Sequence, residues 1–141
     1  MQMVTDNEVR SYADGEIIIH EGDSADGMFV IKSGSVEVYR VRDGHEVSLG
    51  MLREGDALGE MALFDKRPRS ASARARGEAR LEYIDRAELR IRVPDPLVWR
   101  ILQDMGQRLR DMDDAFAKLE TEQASRQDVV ASWSARRTWS L

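Results

Sequence analysis

The stretch Met28–Leu52, MFVIKSGSVEVYRVRDGHEVSLGML, alternates apolar and polar residues over much of its length. Successive side chains of a strand point to opposite faces of a sheet, so a period of two is typical of half-buried β-strands. Two glycine turns interrupt the alternation, SGS at Ser33 and DGH at Asp43. A glycine turn between two alternating runs favours a hairpin. The stretch therefore predicts a meander of antiparallel strands.

Similar punctuation continues on both sides of this meander. Turn signals occur as DG at Asp14, as EGD at Glu21 and Glu54, and as GE at Gly77. About eight short strands separated by such turns suit a small barrel or jelly roll, which also leaves few exposed sheet edges. The predicted fold class is mainly β with α. An antiparallel β-barrel or jelly roll (double-stranded β-helix) over about residues 12–85 is followed by a short helix and a long C-terminal helix.

The periodicity changes after residue 85. The segment DRAELRI, which starts at Asp85, predicts a short helix that ends before Pro94, and Asp95 followed by Pro96 is a cap and first-turn pair for a second helix. In that second helix, apolar residues recur at heptad spacing, as in a coiled-coil seam. The seam residues are Val98, Leu102, Met105, Leu109, Met112, Phe116 and Leu119. The seam either packs on the chain's own barrel or pairs with a second copy, and its uninterrupted heptads favour a homodimer.

Length, charge and composition limit the classes of protein that fit. A chain of 141 residues suits one domain; we predict it over residues 1–122, with C-terminal helices over about 86–122 and an unassigned tail over 123–141. A net charge of −5 does not favour non-specific attraction to nucleic acid or anionic lipid. The chain contains no cysteine, no apolar run long enough to span a membrane and no signal peptide. These features predict a cytoplasmic protein.

Catalytic and metal-binding groups are scarce in the sequence. The two histidines, His20 and His45, lie in separate turns. A zinc or cupin-type site needs clustered histidine and carboxylate ligands, and a hydrolase triad needs a serine beside a positioned histidine. We therefore predict no metal site, no cofactor and no enzymatic activity.

The stretch GEMALFDKRPRSASARA, Gly59–Ala75, combines small, acidic and basic residues in a fixed order. Backbone amides at the start of a short helix over 61–64, with Arg69 folded back over them, would form a pocket for a phosphate. Small neighbours would leave the backbone accessible, and Glu60 could accept a hydrogen bond from a sugar hydroxyl. The alternative is that Glu60 and Arg69 form only an ion pair that ties a loop to the barrel.

The order of these residues resembles a known family. LGEMALFDKRPRSASA, Leu58–Ala73, is similar to the phosphate-binding cassette of the cyclic-nucleotide-binding domains of catabolite activator protein, protein kinase A regulatory subunits and cyclic-nucleotide-gated channels. The stretch Tyr12–Tyr39, YADGEIIIHEGDSADGMFVIKSGSVEVY, is similar to the first hairpins of the same family. Together the two motifs extend the resemblance over about residues 12–120.

The resemblance implies a 3′,5′-cyclic nucleotide as ligand. Arg69 would pair with the exocyclic phosphate oxygens, and the N–H groups of Ala62 and Ser70 would complete the phosphate shell. Glu60 would bind the ribose 2′-hydroxyl beside the Gly59 carbonyl. In this family serine at the position of Ser70 occurs in bacterial cAMP receptors, so cAMP is favoured over cGMP. The residues placed at the ligand are Gly59, Glu60, Met61, Ala62, Arg69 and Ser70, with Met61 in the apolar wall.

The same resemblance implies a sensor that signals when its C-terminal helix rearranges, with a downstream protein as its partner. Too few residues follow the long helix for a helix-turn-helix, so we predict no DNA binding. Two alternatives stay open. The chain is a dimeric adaptor of the same fold that has lost its ligand, or it is a regulatory domain of a larger kinase, channel or transporter.

Overall fold

The computed structural model of this protein describes residues 8–124, which form one antiparallel sheet and three helices. The fold class predicted from the sequence, mainly β with a short helix and a long C-terminal helix, is confirmed. The elements in chain order are β1 (Val9–Tyr12), β2 (Ile17–Ile19), β3 (Gly27–Arg42), β4 (His45–Leu52), β5 (Ala57–Leu58), α1 (Glu60–Asp65), β6 (Ser72–Asp85), α2 (Arg86–Arg92) and α3 (Pro96–Ala124).

Two long strands form the spine of the sheet. β3 and β6 pair along their length, from Gly27 opposite Asp85 to Tyr39 opposite Ser72. β6 also pairs with β1 and β2, and β3 also pairs with β4 and β5. The sheet therefore begins at Val9, three residues before the predicted start of the barrel.

The turns predicted at Ser33 and Gly77 are bends within strands rather than strand ends. The register of β3 against β6 shifts on both sides of Ser33, and the chain then continues in the ladder. Gly34 and Gly77 have positive φ values of 90° and 75°, which glycine adopts without steric penalty. Dividing β3 and β6 at these glycines converts the six observed strands into the eight segments predicted.

The period-two pattern places the core as expected. Phe29 and Ile31 are buried, and so are Val36 and Val38 beyond the bend. The main cluster of buried residues consists of Ile19, Phe29, Ile31, Val36, Leu58, Ala73, Ala75, Ala79 and Leu81. A fully buried aliphatic side chain contributes roughly 1.5–3 kcal/mol to stability, so this cluster is the main support of the sheet.

A second cluster joins the helices to the sheet. Trp99 of α3 packs with Leu63 of α1 and Leu89 of α2, against Met28 and Ile84 of the sheet. The cap predicted at Asp95 is present, and Asp85 caps α2 in the same way, which explains where these helices begin. The Asp85 carboxylate accepts from the Glu88 N–H at 2.7 Å, and the Asp95 carboxylate accepts from the Leu97 N–H at 2.9 Å.

The seam of α3 does not pack on the chain's own barrel. Six of its seven residues are between 39% and 70% exposed, and Leu102 is half-buried. The face toward the rest of the molecule instead carries Trp99, Gly106 and Arg110, all buried. The helix therefore lies on its own barrel through a different face, and most of the seam stays exposed in the single chain.

None of the helices within residues 8–124 is both long enough and apolar enough to cross a membrane. The predicted tail, apart from its first two residues, lies outside the described residues.

Candidate functional site

One pocket brings together all six residues predicted to bind the ligand. It opens between α1, the start of β6 and α3, and it contains about 410 Å³ of space that is partly open to solvent. Its wall consists of Ile19, Val38, Leu58, Gly59, Glu60, Met61, Ala62, Arg69, Ser70, Ala71, Ser72, Ala73 and Arg110. We refer to residues 66–71, which connect α1 to β6, as the cassette loop.

The first part of the wall is the start of α1. This helix spans Glu60–Asp65, one residue longer at each end than predicted. Gly59 occupies its N-cap with φ 83° and provides no side-chain cap. Leu63 is fully buried and Ala62 nearly so, which anchors the helix in the core. Glycine suits this position for two reasons: its φ is positive, and a Cβ here would collide with the guanidinium of Arg69.

Arg69 is held at the pocket by two backbone carbonyls. Its Nη1 donates to the Gly59 carbonyl and its Nη2 to the Gly27 carbonyl, both at 2.7 Å. Burial lowers the pKa of Arg69 from its ordinary value, because desolvation disfavours the charged form. A guanidinium has five N–H donors. The two carbonyl bonds therefore fix the group and leave donors for an anion.

Glu60 is half-buried at the same pocket. Burial raises the pKa of Glu60 above its ordinary value, and the positive charge of Arg69 acts in the opposite direction. The two side chains are close enough to influence each other, but no ion pair joins them within residues 8–124; the hydrogen bonds of Arg69 go to carbonyls. The simple ion-pair interpretation of this stretch is therefore wrong.

The cassette loop is fixed through three consecutive carbonyls, at residues 68–70. Each accepts a hydrogen bond from a different part of the molecule: α3, the turn after β2, and β3. The donors are Arg110 Nη1 at 3.0 Å, the Gly22 N–H at 2.9 Å and Arg40 Nε at 2.8 Å. β6 begins only at Ser72, after the stretch whose carbonyls bond to these three donors.

The sequence analysis missed Arg110. This residue of α3 is only 6% exposed, lines the pocket and donates to the Pro68 carbonyl of the cassette loop. Gly106 lies seven residues after Trp99 and Arg110 lies four after Gly106, so the three share one helical face. The missed signal was this second heptad-like series, which an analysis of apolar residues alone cannot detect because most of its members are not apolar.

Comparison with known proteins identifies the family of this chain. Residues 9–91 match the family of the cyclic nucleotide-binding domain. The chain is 44% identical over 77 residues to the cAMP-dependent protein kinase type II regulatory subunit of Drosophila melanogaster, a match that covers 54% of this chain and 20% of that protein. It is 32% identical over 108 residues to the CRP-like cAMP-activated global transcriptional regulator of Mycobacterium tuberculosis, covering 74% of this chain and 48% of that protein.

Solved structures share the fold. The cAMP-bound form of the EAL enzyme Bd1971 superposes with a TM-score of 0.69 at 31% identity, over 84% of this chain and 32% of that one. The catabolite activator protein of Thermus thermophilus superposes with a TM-score of 0.64 at 31% identity, over 84% of this chain and 57% of that one. The chain thus spans from about a fifth to about half of the two curated relatives named. Because the family match covers more than half of its residues and the pocket residues come together as the motif requires, the chain belongs to the cyclic nucleotide-binding domain family.

Proposed function

We propose that this chain is a sensor for a 3′,5′-cyclic nucleotide, with cAMP preferred over cGMP. The observation that carries the proposal is the convergence of half-buried Glu60 and Arg69 on one pocket beside the uncapped start of α1. The cAMP preference is supported by the named relatives, which are described as cAMP-dependent and cAMP-activated. Serine at the position of Ser70, as in bacterial cAMP receptors of this family, also supports a preference for cAMP.

Arg69 is proposed to bind the cyclic phosphate. Burying a guanidinium is unfavourable unless an anion or hydrogen-bond acceptors compensate, and a phosphate supplies both. The carbonyls of Gly59 and Gly27 hold the side chain in place before the ligand arrives. The N–H groups of Ala62 and Ser70, both residues of the pocket wall, complete the phosphate shell.

Glu60 is proposed to bind the ribose. Its carboxylate is an acceptor for the 2′-hydroxyl, and a hydrogen bond of this kind offsets part of the desolvation that burial imposes on the carboxylate. The Gly59 carbonyl has a second lone pair beyond the one used by Arg69. Met61 and the apolar wall residues Val38 and Leu58 provide the surface for the rest of the ligand.

The proposed output is a shift of α3. This helix contributes Arg110 to the pocket wall, and its Trp99 packs edge-on against Phe64 of α1 with ring centroids 5.2 Å apart. A ligand that orders α1 and the cassette loop therefore acts on two contacts of α3. The exposed seam of α3 is proposed to pair with a second copy, so that the shift is passed to the dimer and to a downstream protein. The role we propose is regulatory, with no catalytic step.

Isothermal titration calorimetry with cAMP, cGMP and cyclic di-GMP tests the ligand. We expect binding of cAMP and weaker binding of cGMP, with the heat of both lost in a folded Arg69→Ala variant. Absence of heat from all three at millimolar ligand would overturn the sensor proposal and leave the ligand-free adaptor.

A further inference from the structure

We propose that Arg40 is a positioning residue for nucleotide binding: it ties the cassette loop to α3 without contacting the ligand. This inference rests on the proposed function, since it names a residue that shapes the same pocket from outside. None of the sequence motifs includes Arg40 among the site residues, because it lies within the meander.

Arg40 joins three elements through one planar group. Its Nε donates to the Ser70 carbonyl at 2.8 Å, and its Nη2 donates to the Asp113 carboxylate at 2.8 Å. The Arg40 side chain is 14% exposed and that of Asp113 is 26% exposed, so water screens this ion pair only partly. A guanidinium fixes the directions of its donors, so the two bonds also fix the distance between the cassette loop and the helix.

Neither Arg40 nor Asp113 lines the pocket, whereas their neighbours do. Ser70, whose carbonyl Arg40 holds, is a wall residue, and so is Arg110, which lies three residues before Asp113 on α3. Arg110 in turn donates to the Pro68 carbonyl at 3.0 Å. The cassette loop and α3 are thus joined through Arg40, through Arg110 and through a more exposed ion pair between Arg67 and Asp114 at 3.3 Å. Arg110 lies in the pocket wall, and Arg40 supports the loop from outside the pocket.

Loss of Arg40 should weaken nucleotide binding, because the ligand must then order the cassette loop and α3. Without Arg40 the Asp113 carboxylate loses a charged partner, and the cassette loop keeps fewer ties to α3, among them the Arg110 bond to Pro68 and the Arg67–Asp114 ion pair. Ligand binding must then order both elements, and ordering reduces affinity even when every ligand contact is kept. An interaction between contacting charged residues typically amounts to a few-fold up to about a hundred-fold in affinity, and we expect a decrease of about 5- to 30-fold here.

The experiment is a double-mutant cycle with cAMP affinity as its readout. We expect Arg40→Gln and Asp113→Asn each to weaken binding, and the double variant to bind about as tightly as either single variant, because both changes break the same junction. Arg40→Lys should restore only part of the affinity, since an ammonium cannot reproduce both fixed donors. Asp111→Asn is the matched control: it removes the same charge from α3, but Asp111 is exposed and bonds to Gln107 within the helix. Its affinity should equal that of the parent.

Hydrogen exchange of the ligand-free protein gives an independent readout. Amides of α3 around residues 106–116 should exchange faster in Arg40→Gln and in Asp113→Asn than in the parent and in Asp111→Asn. If the parent binds no cAMP, the proposed function fails, and the exchange data still test the tie. If the parent binds and the folded variants bind equally well, or if the two losses add fully, the positioning role is refuted. Asp113→Asn, on the surface of a helix, keeps the test valid if Arg40→Gln does not fold.

Discussion

At the scale of single residues, the pocket holds three charged side chains, Glu60, Arg69 and Arg110, that water reaches only in part. The hydrogen bonds of Arg69 to two carbonyls position it before a ligand is present, and Glu60 stays half-buried beside it. In the ligand-free protein, burial disfavours the charged forms of both Glu60 and Arg69. Substitutions at the two residues should therefore differ in their effects on ligand affinity and on thermal stability.

Truncation of Arg69 should remove most of the affinity for a cyclic nucleotide. An anion left with backbone donors only loses on the order of 2–5 kcal/mol, which corresponds to roughly 30-fold to several thousand-fold in affinity. Arg69→Lys should recover part of this loss, because a single ammonium cannot meet two phosphate oxygens as a planar guanidinium does. Calorimetry on Arg69→Ala, with circular dichroism to confirm folding, is the measurement. Parent-like binding by the folded variant would contradict the phosphate assignment.

Glu60→Gln should stabilise the empty protein at neutral pH while it weakens binding. Burial raises the pKa of Glu60 above its ordinary value of 4.5, so the fold prefers the protonated carboxyl. Its contribution to stability is fully present below the unfolded pKa and is lost as the pH rises through the folded pKa. We therefore expect Glu60→Gln to melt a few degrees above the parent at pH 7, with the two values converging near pH 4. Equal melting temperatures at both pH values would show that the carboxylate is adequately solvated.

The same variant also tests the ribose assignment. Replacing the carboxylate by an amide weakens the acceptor for the 2′-hydroxyl, so the preference for cAMP over 2′-deoxy-cAMP should narrow in Glu60→Gln. Calorimetric titration of both ligands against parent and variant gives this comparison. An unchanged preference would place the hydroxyl elsewhere in the pocket.

Gly59→Ala should reduce both stability and affinity for cAMP. Gly55→Ala is the control that separates the effect of backbone strain from the effect of a collision with Arg69. Both glycines have positive φ, 83° and 91°, so an alanine at either costs about 1–2 kcal/mol of backbone strain. A Cβ at Gly55 meets nothing within 4 Å, whereas one at Gly59 meets the Arg69 guanidinium. We expect a similar backbone penalty from both variants in urea unfolding and a loss of cAMP binding only from Gly59→Ala. Equal affinity of the two would show that Arg69 can move without consequence.

At the scale of elements, α3 has two distinct faces. One face, with Trp99, Gly106 and Arg110, packs on the barrel and reaches the pocket. The other face is the exposed apolar seam. At 29 residues the helix is about 44 Å long, enough for several heptads to pair with a second copy.

Leu109→Glu should convert a dimer into a monomer. Leu109 is 48% exposed at the centre of the seam, and a glutamate there would place like charges against each other in a parallel pair. Gln107→Glu is the control, because it changes the charge equally on the opposite side of the same exposed helix. Sedimentation velocity should report a monomer for Leu109→Glu and a dimer for the parent and for the control. The homodimer would be ruled out by a parent that sediments as a monomer.

At the scale of the whole molecule, ligand binding should raise the free energy of unfolding. A ligand that binds only the folded state stabilises it by about 2.7 kcal/mol at 100 times its dissociation constant. Because α1, the cassette loop and α3 all reach the same pocket, the shift should appear in a melting scan as one cooperative transition. Arg69→Ala at the same cAMP concentration should show no shift. A shift of equal size in that variant would indicate binding outside the pocket.

The sequence by itself determined the features that repeat at short range. Apolar residues at a period of two predicted the strands, Asp85 and Asp95 marked where the helices begin, and the order of residues from Gly59 to Ser70 predicted which side chains share a pocket. These signals are local, because a strand, a cap or a tight motif depends on neighbours a few residues away.

Only the tertiary structure decided the long-range contacts. Arg40 meets partners 30 and 73 residues away, and Arg110 meets Pro68 across 42 residues. A charged side chain carries no periodic signal of its partner, so neither set of contacts could be predicted from the sequence. The same holds for α3, whose two faces have similar spacing; the shape of the barrel and its packing around Trp99 decide which one turns inward. Gly34 and Gly77 bend rather than end their strands because β3 and β6 continue to pair beyond them, and pairing between distant strands has no counterpart in the local sequence.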